Sequence, residues 1–125
     1  MMVRYKIFLI ILLLLSSCQD TFEVRHSKSN PRFVTFHRNH FFSSDKIAPC
    51  LKSLRVFDYS SGHTGSILWS IEAKDRCGML ERVEIGVVPK DFKRTSSAEY
   101  IGKVIKVEAV STDGAFGMSS PFVIR

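Results

Sequence analysis

The sequence predicts an all-β fold, a small antiparallel β-sandwich that follows an N-terminal signal segment. Between residue 50 and the C-terminus, short apolar segments alternate with polar residues at period two, as expected for half-buried strands. Glycine, serine and aspartate separate these segments and favour turns. No amphipathic helical pattern follows Leu15. Two packed antiparallel sheets are the usual way for such strands to bury their apolar faces.

We expect roughly five or six strands from these segments. Phe33–Phe36 favours a strand because its aromatic and β-branched side chains suit a pleated surface. Ile67–Lys74 shows the strongest alternation, and its Trp69, the only tryptophan of the chain, is the expected core anchor. The other predicted strands are Leu51–Tyr59, Leu80–Val88, Lys103–Val110 and Pro121–Arg125. Residues 90–99 are expected to form a polar, basic loop.

Several phenylalanines lie close together early in the chain. They are Phe33, Phe36, Phe41 and Phe42. An exposed cluster of this kind would favour aggregation, so we expect these side chains to pack into the domain.

The N-terminal residues have the organisation of a secretory signal peptide. Arg4 and Lys6 give a positive start, and an unbroken apolar run follows from residue 7 to residue 15. This run is too short to span a hydrocarbon core, which needs about 20 residues. It ends in Leu15-Ser16-Ser17-Cys18, which resembles the lipobox of bacterial lipoproteins. The alternatives are an ordinary cleaved signal with a chance cysteine, or an uncleaved anchor helix.

The lipobox resemblance implies that residues 1–17 are a lipoprotein signal peptide, removed before Cys18. In this family the cysteine is diacylated and the new amino terminus receives a further acyl chain such as palmitate, which together hold a protein stably in a membrane. Gln19 follows the cysteine, where an aspartate would favour retention in the inner membrane. The resemblance therefore implies the periplasmic face of the outer membrane. Residues 18–32 are then a lipid-anchored flexible tether, and residues 33–125 form a single β-sandwich domain.

Cys50 and Cys77 are expected to form a disulfide. Export would place them in an oxidising compartment, where an even pair of cysteines usually bonds. A redox role would require a C-x-x-C pair or a nearby activating base, and the sequence shows neither. The two cysteines flank Trp69, an arrangement that resembles the Cys-Trp-Cys pattern of immunoglobulin domains at a shorter spacing. This resemblance implies an immunoglobulin-like or fibronectin-like architecture.

The chain is basic, with 18 basic and 12 acidic side chains and a formal net charge of +6 at pH 7. Removing the signal peptide, with Arg4 and Lys6, lowers the net charge by two, to +4. An exported lipoprotein rarely meets nucleic acid, so we expect no nucleic-acid partner. Lipid head groups, lipopolysaccharide phosphates or an acidic protein are the anionic neighbours it would meet. The charge also keeps such a domain soluble without any partner.

The segment from Lys90 to Arg94 is the candidate partner-binding site, with Lys90, Phe92, Lys93 and Arg94 as its residues. Lys90, Lys93 and Arg94 have the charge to contact an acidic protein surface, and Phe92 is the residue of the segment expected to pack. The alternative is a solvated turn that binds nothing.

Neither an enzyme nor a bound cofactor is expected. The sequence contains no G-x-S-x-G, no G-x-x-x-x-G-K-[ST] and no H-E-x-x-H motif. Glu81 and Glu84 are three residues apart, so on a strand they point to opposite faces and cannot share a proton. His37 and His40 have the same spacing and no carboxylate or cysteine at ligand distance in sequence, so we expect surface histidines rather than a metal site.

The last 75 or so residues resemble small lipoproteins of Gram-negative bacteria, most of them uncharacterised. The resemblance is carried by Cys50, Leu54, Val56, Leu68, Trp69, Ile71, Ala73, Cys77, Gly86, Val88, Pro89, Phe92, Phe122 and Ile124. Some lipoproteins of this size are immunity proteins against toxins delivered by contact-dependent secretion systems. The resemblance therefore implies a lipid-anchored, protein-binding lipoprotein of the periplasm. A structural or accessory envelope lipoprotein that supports a membrane-associated complex is the alternative, and binding of an anionic ligand or lipid is a third hypothesis.

Overall fold

The computed structural model describes residues 22–40, 43–47, 50–112 and 114–125. All regular secondary structure in these ranges is β-strand, which confirms the all-β prediction. The strands are β1 (Phe22–His26), β2 (Phe33–His40), β3 (Ser43–Ile47), β4 (Cys50–Asp58), β5 (Ile67–Ala73), β6 (Gly78–Met79), β7 (Arg82–Glu84), β8 (Phe92–Ser97), β9 (Val104–Ser111), β10 (Phe116–Met118) and β11 (Phe122–Val123). Within the same ranges no helix has the length and hydropathy needed to cross a bilayer.

The smaller sheet is built around β2. β1 pairs with one side of β2, and β3 and β7 pair with the other, all antiparallel. The strand predicted at Phe33–Phe36 forms the first half of β2. Phe36 is buried, and Phe33 is half-buried beneath the guanidinium of Arg82, which lies 4.6 Å from the ring centre. The other two phenylalanines expected to pack, Phe41 and Phe42, lie outside the described residues.

The larger sheet has the strand order β10-β9-β4-β5-β8, with β11 also on β9 and β6 also on β4. All of its pairs are antiparallel. β4, β5 and β8 lie next to one another in the sheet, although β6 and β7 come between β5 and β8 in the chain. β9 then returns to lie beside β4, which gives the spatial order of a Greek key. The alternation predicted for β9 is confirmed, because Ile105, Val107 and Ala109 are fully buried while the residues between them are partly exposed.

The two sheets share one hydrophobic core. Trp69 is 1% exposed, as predicted for the core anchor. The core contains Val24 and Phe36 from the smaller sheet together with Val56 and Val107 from the larger one. Two antiparallel sheets around a single core are consistent with the predicted sandwich.

The chain passes from one sheet to the other between β6 and β7. β6 pairs with β4 of the larger sheet, whereas β7 pairs with β2 of the smaller one. Backbone hydrogen bonds extend the pairing of β7 with β2 at both ends, since the N–H of Ile85 donates to the carbonyl of Arg32 at 2.8 Å and the N–H of Phe36 donates to the carbonyl of Glu81 at 3.0 Å. These bonds lie within the smaller sheet, and at this corner the chain itself and the shared core connect it to the larger one.

The predicted disulfide between Cys50 and Cys77 is confirmed. It joins the first residue of β4 to the residue that precedes β6, and Cys50 also pairs with Met79 across these strands. The bond therefore fixes the turn 74–77 against the larger sheet, at the end where β4 begins.

β1 lies inside the range expected to be a tether, residues 18–32. Its residues pair with residues 34–38 of β2, and Val24 is buried in the core. The ring of His26 stacks on the ring of Phe122, with 4.3 Å between the centroids. The strand escaped prediction because it has only five residues, and pairing with β2 is what gives its apolar side a core to face. Among the described residues, the folded domain therefore begins at Phe22 rather than at residue 33.

The strand predicted at Leu80–Val88 is shorter in the structure, where β7 ends at Glu84. Gly86 adopts a left-handed conformation with φ of 96°. The N–H of Val87 donates to the carbonyl of Glu84 at 3.1 Å and closes a turn. The alternation of apolar residues in the sequence continues past Glu84, but the extended backbone conformation ends there, because a left-handed residue breaks a strand.

Candidate functional site

The basic segment predicted as a loop contains an edge strand. Phe92–Ser97 form β8, which pairs antiparallel with β5 and is the last strand of the larger sheet on that side. Among the residues that the structure describes, no strand pairs with the outer side of β8. An edge strand with one buried side chain shows little alternation of apolar and polar residues, so its polar composition predicts a loop. Within the described part of the chain, no strand uses the backbone N–H and C=O groups on this outer side.

Phe92 holds β8 to the domain from inside. Its side chain is 3% exposed, in agreement with the expectation that it packs. A Cβ atom on Gly78 would overlap the ring of Phe92, so the ring lies directly on the β6 backbone. Phe92 therefore supports the candidate site and does not belong to the surface that a partner would touch.

The three cations of the predicted site are exposed: Lys90, Lys93 and Arg94. Lys93 is opposite Glu72 of β5, and Arg94 is opposite Ile71. Because successive residues of a strand point to opposite faces, Lys93 and Arg94 extend on either side of the sheet edge. The structure thus places these cations along one edge rather than on one face.

The turn after β5 adds basic residues that the sequence alone does not place near this site. The N–H of Lys74 donates to the carbonyl of Asp91 at 2.8 Å, which places this turn beside Lys90. Lys74 and Arg76 are exposed, as are the acidic residues Asp75 and Asp91. No spacing in the sequence relates position 74 to position 90, and only the pairing of β5 with β8 brings them together. We call the exposed cations Lys74, Lys90, Lys93 and Arg94 the basic edge.

Local hydrogen bonds fix the backbone of the basic edge. Asp91 has a φ of 70°, a left-handed conformation that aspartate tolerates better than most residues. The N–H of Phe92 donates to the carbonyl of Pro89 at 3.2 Å and closes a turn before the strand. On the outer face of the sheet, the hydroxyls of Ser70 and Thr95 are hydrogen-bonded at 2.7 Å, and Ser70 is buried. The strand is therefore held at its start and in its middle.

An exposed sheet edge bordered by cations can bind an acidic, extended segment. Such a segment would extend the sheet by main-chain hydrogen bonds, while its carboxylates would pair with the lysine and arginine side chains. The same charges disfavour pairing of β8 with a second copy of itself, since like charges would lie opposite each other. The chemistry of this edge therefore favours a partner of opposite charge over self-association.

Asp58 lies at the other end of the larger sheet, where β4 ends. Its carboxylate accepts a hydrogen bond from the backbone N–H of Ser60 at 2.9 Å. This bond, the Ser60 hydroxyl and the nearby Lys103 lower the pKa of Asp58 below its ordinary value of 3.8, against a smaller opposing effect of desolvation. The carboxylate anchors the turn after β4 and is remote from the basic edge along the strand direction.

The two histidines other than His37 and His40 each contact a neighbouring side chain. His26 stacks on Phe122, and His63 is hydrogen-bonded to Ser61 at 3.3 Å. No group of three or more side chains able to ligate a metal occurs among the described residues. Cys18, the predicted lipidation site, lies outside those residues.

No protein-family model, curated protein or solved structure matches this chain. Its function is therefore inferred from its own residues.

Proposed function

We propose that the mature chain, residues 18–125, is a lipid-anchored lipoprotein of the periplasm that binds a protein partner and is not an enzyme. Immunity to a toxin delivered by neighbouring cells is the most specific form of this proposal. The basic edge is the contact, and the partner presents an acidic segment to it. The observation that carries the binding proposal is the edge strand β8, which is exposed and bordered by cations.

Two features support an envelope location. The segment Leu15-Ser16-Ser17-Cys18 resembles a lipobox and follows an apolar run of signal-peptide length. The disulfide between Cys50 and Cys77 favours an oxidising compartment, because cytoplasmic thiols are usually kept reduced. Gln19 follows the cysteine, where an aspartate would favour the inner membrane. The chain would therefore be held at the periplasmic face of the outer membrane, as in small Gram-negative lipoproteins.

We also infer that the two sheets pack as a sandwich of immunoglobulin-like or fibronectin-like architecture. The Greek-key order of β9, β4, β5 and β8 supports this assignment, as does the core shared by both sheets. Many cell-surface binding domains have this architecture, although fold alone does not define a function.

Deletion of the gene, followed by growth beside toxin-delivering sister cells, tests the immunity form. The deleted strain is expected to lose viability and to recover when the full-length protein is supplied. A triple variant with Lys90→Glu, Lys93→Glu and Arg94→Glu is expected not to restore protection, because the reversed charges repel an acidic partner. The matched control reverses three exposed cations outside the basic edge, Arg25, Lys28 and Arg125, and is expected to protect.

The outcomes separate the competing functions. Equal protection by both triple variants, at equal abundance in the membrane fraction, would show that the basic edge is not the contact. If deletion caused no loss of viability beside sister cells, the immunity form would fail. Envelope defects on deletion, together with co-fractionation in a large membrane-associated complex, would instead favour the structural or accessory lipoprotein.

A further inference from the structure

The opposite edge of the larger sheet carries an apolar surface. Phe116 and Met118 of β10 are 58% and 37% exposed. They are paired in register with Val110 and Glu108 of β9, so all four lie on the same outer face. Val110 is half-buried, and the carboxylate of Glu108 lies 3.9 Å from the guanidinium of Arg55. We call Phe116, Met118 and Val110 the β10 patch.

The start of β1 lies at the same edge of the molecule. β1 runs beside β10, and its last residue, His26, stacks on Phe122 of β11. β11 pairs with the beginning of β9, whereas β10 pairs with its end. Phe22, the first residue of β1, therefore lies at the end of β1 that is nearer to Phe116.

The length of chain before β1 limits how far the domain can stand from a lipid anchor. Cys18 precedes Phe22 by four positions, and an extended segment of that length spans at most about 14 Å. A tether that ended only at residue 33 would span about 50 Å at the same rise per residue. Because β1 is part of the sheet, a lipid on Cys18 would hold this corner of the domain close to the membrane surface.

We propose that the β10 patch contacts the membrane to which Cys18 is anchored. This inference depends on the proposed lipidation and names membrane lipid as the occupant of the patch. Phe116 and Met118 enter the interface between head groups and acyl chains, where burial of apolar side chains is favourable. Lys52 is exposed and lies at the register shift in β4, next to the position that pairs with Val110. Its ammonium group faces the anionic phosphates of the lipid head groups.

This orientation leaves the basic edge open. β10 and β8 are separated by four strand spacings in the larger sheet, which corresponds to about 19 Å. A partner can therefore approach β8 from the side while the β10 patch rests on the lipid. The β10 patch and the basic edge then serve two different contacts of one domain.

A fluorescence experiment on the mature, lipidated protein tests the proposal. The Phe116→Trp variant is reconstituted in vesicles of phosphatidylethanolamine and phosphatidylglycerol whose acyl chains carry bromine near the head group. The added indole is expected to lose emission in these vesicles relative to unbrominated ones. Ile101→Trp is the matched control, since Ile101 is 42% exposed and lies just before the beginning of β9, at the far end of the sheet. Native Trp69 is buried and gives the same background in both.

Mass spectrometry of the mature N-terminal peptide separates the two ways in which the inference can fail. If Cys18 carries lipid but the Phe116→Trp indole keeps its emission, the membrane contact is wrong and the lipoprotein proposal stands. Equal quenching of the two variants would also overturn the orientation. If Cys18 carries no lipid, both proposals fail. Met118→Trp provides a second probe of the patch, and its indole is expected to be quenched with that of Phe116→Trp.

Discussion

β8 and β10 are the two outer strands of the same sheet, and they differ in almost every property. β8 has six residues, one buried phenylalanine and two cations that flank the edge. β10 has three residues, and both of its outward side chains are apolar. Lysine on an edge strand is a common protection against unwanted pairing, and β8 has it whereas β10 does not. The difference agrees with the two proposed contacts, an acidic partner at β8 and lipid at β10.

The two edges are also held to the domain by different means. On the β8 side, the Phe92 ring packs on Gly78, and the disulfide fixes the neighbouring turn. On the β10 side, a single buried serine bridges the gap between β10 and β11. The N–H of Ser119 donates to the carbonyl of Val107 at 2.8 Å, and its hydroxyl accepts the N–H of Val107 at 2.9 Å. We expect loss of packing to matter most at β8 and loss of a hydrogen bond to matter most at β10.

The largest expected effect separates two phenylalanines, one at each edge. Phe92→Ala is expected to lower the free energy of unfolding by about 3–5 kcal/mol, because it leaves a cavity beneath β8. Phe116→Ala removes a side chain that is 58% exposed and is expected to cost much less. Urea denaturation of the soluble domain measures both values. Equal losses would show that the two edges depend on their phenylalanines in the same way.

Removal of the disulfide is the next test. Replacing both Cys50 and Cys77 with alanine is expected to lower the free energy of unfolding by about 3.5 kcal/mol, from the closure entropy of a loop of this length. Amide hydrogen exchange is expected to accelerate first in the turn 74–77 and in β8. If β10 exchanged faster than β8 in this variant, the assignment of the disulfide to the β8 side would be contradicted.

The hydrogen bonds at the β10 edge are tested by Ser119→Ala. The buried N–H of Val107 loses its acceptor, which is expected to cost about 1–3 kcal/mol of unfolding free energy. Ser120→Ala is the control, since Ser120 is exposed and adjacent in the chain. A loss of the same size in both variants would show that the bridge does not stabilise this edge.

The smallest effect is expected at Asp58, which is remote from both edges along the strands and serves as a reference. Its pKa is lowered in the folded protein, first by the backbone N–H of Ser60. The resulting stabilisation is fully present above the unfolded pKa, near 3.8, and is lost as the pH falls through the lowered folded value. Asp58→Asn is expected to flatten this acid-side step in a plot of unfolding midpoint against pH. An identical pH dependence in both proteins would contradict it.

Much of the larger sheet was accessible from the sequence. β4, β5 and β9 were predicted within a residue or two, because each has one face in the core and therefore a clear alternation. β1 and β8 were not predicted as strands. β1 is short, and β8 buries only Phe92 among polar neighbours, so neither has a repeating pattern of its own.

The candidate site was predicted only in part, because some of its residues come together only through strand pairing. Lys90, Lys93 and Arg94 are close in the chain and were recognised as a basic segment. Lys74 lies beside them only because β5 and β8 are paired. Phe92 is not part of the contact surface, because its ring packs on Gly78. The β10 patch was not predicted at all, since a three-residue strand at an edge has too few residues to show which side is exposed.

By itself, the sequence determined the all-β class, the pairing of Cys50 with Cys77 and the burial of Trp69. These properties depend on local alternation, on cysteine number and on side-chain size, all of which are present in the chain before it folds. The tertiary structure alone decided which strands are edges, which cations share an edge and how near Phe22 lies to the β10 patch. Those properties depend on pairing between segments far apart in sequence, and no single segment contains the information that specifies its neighbour.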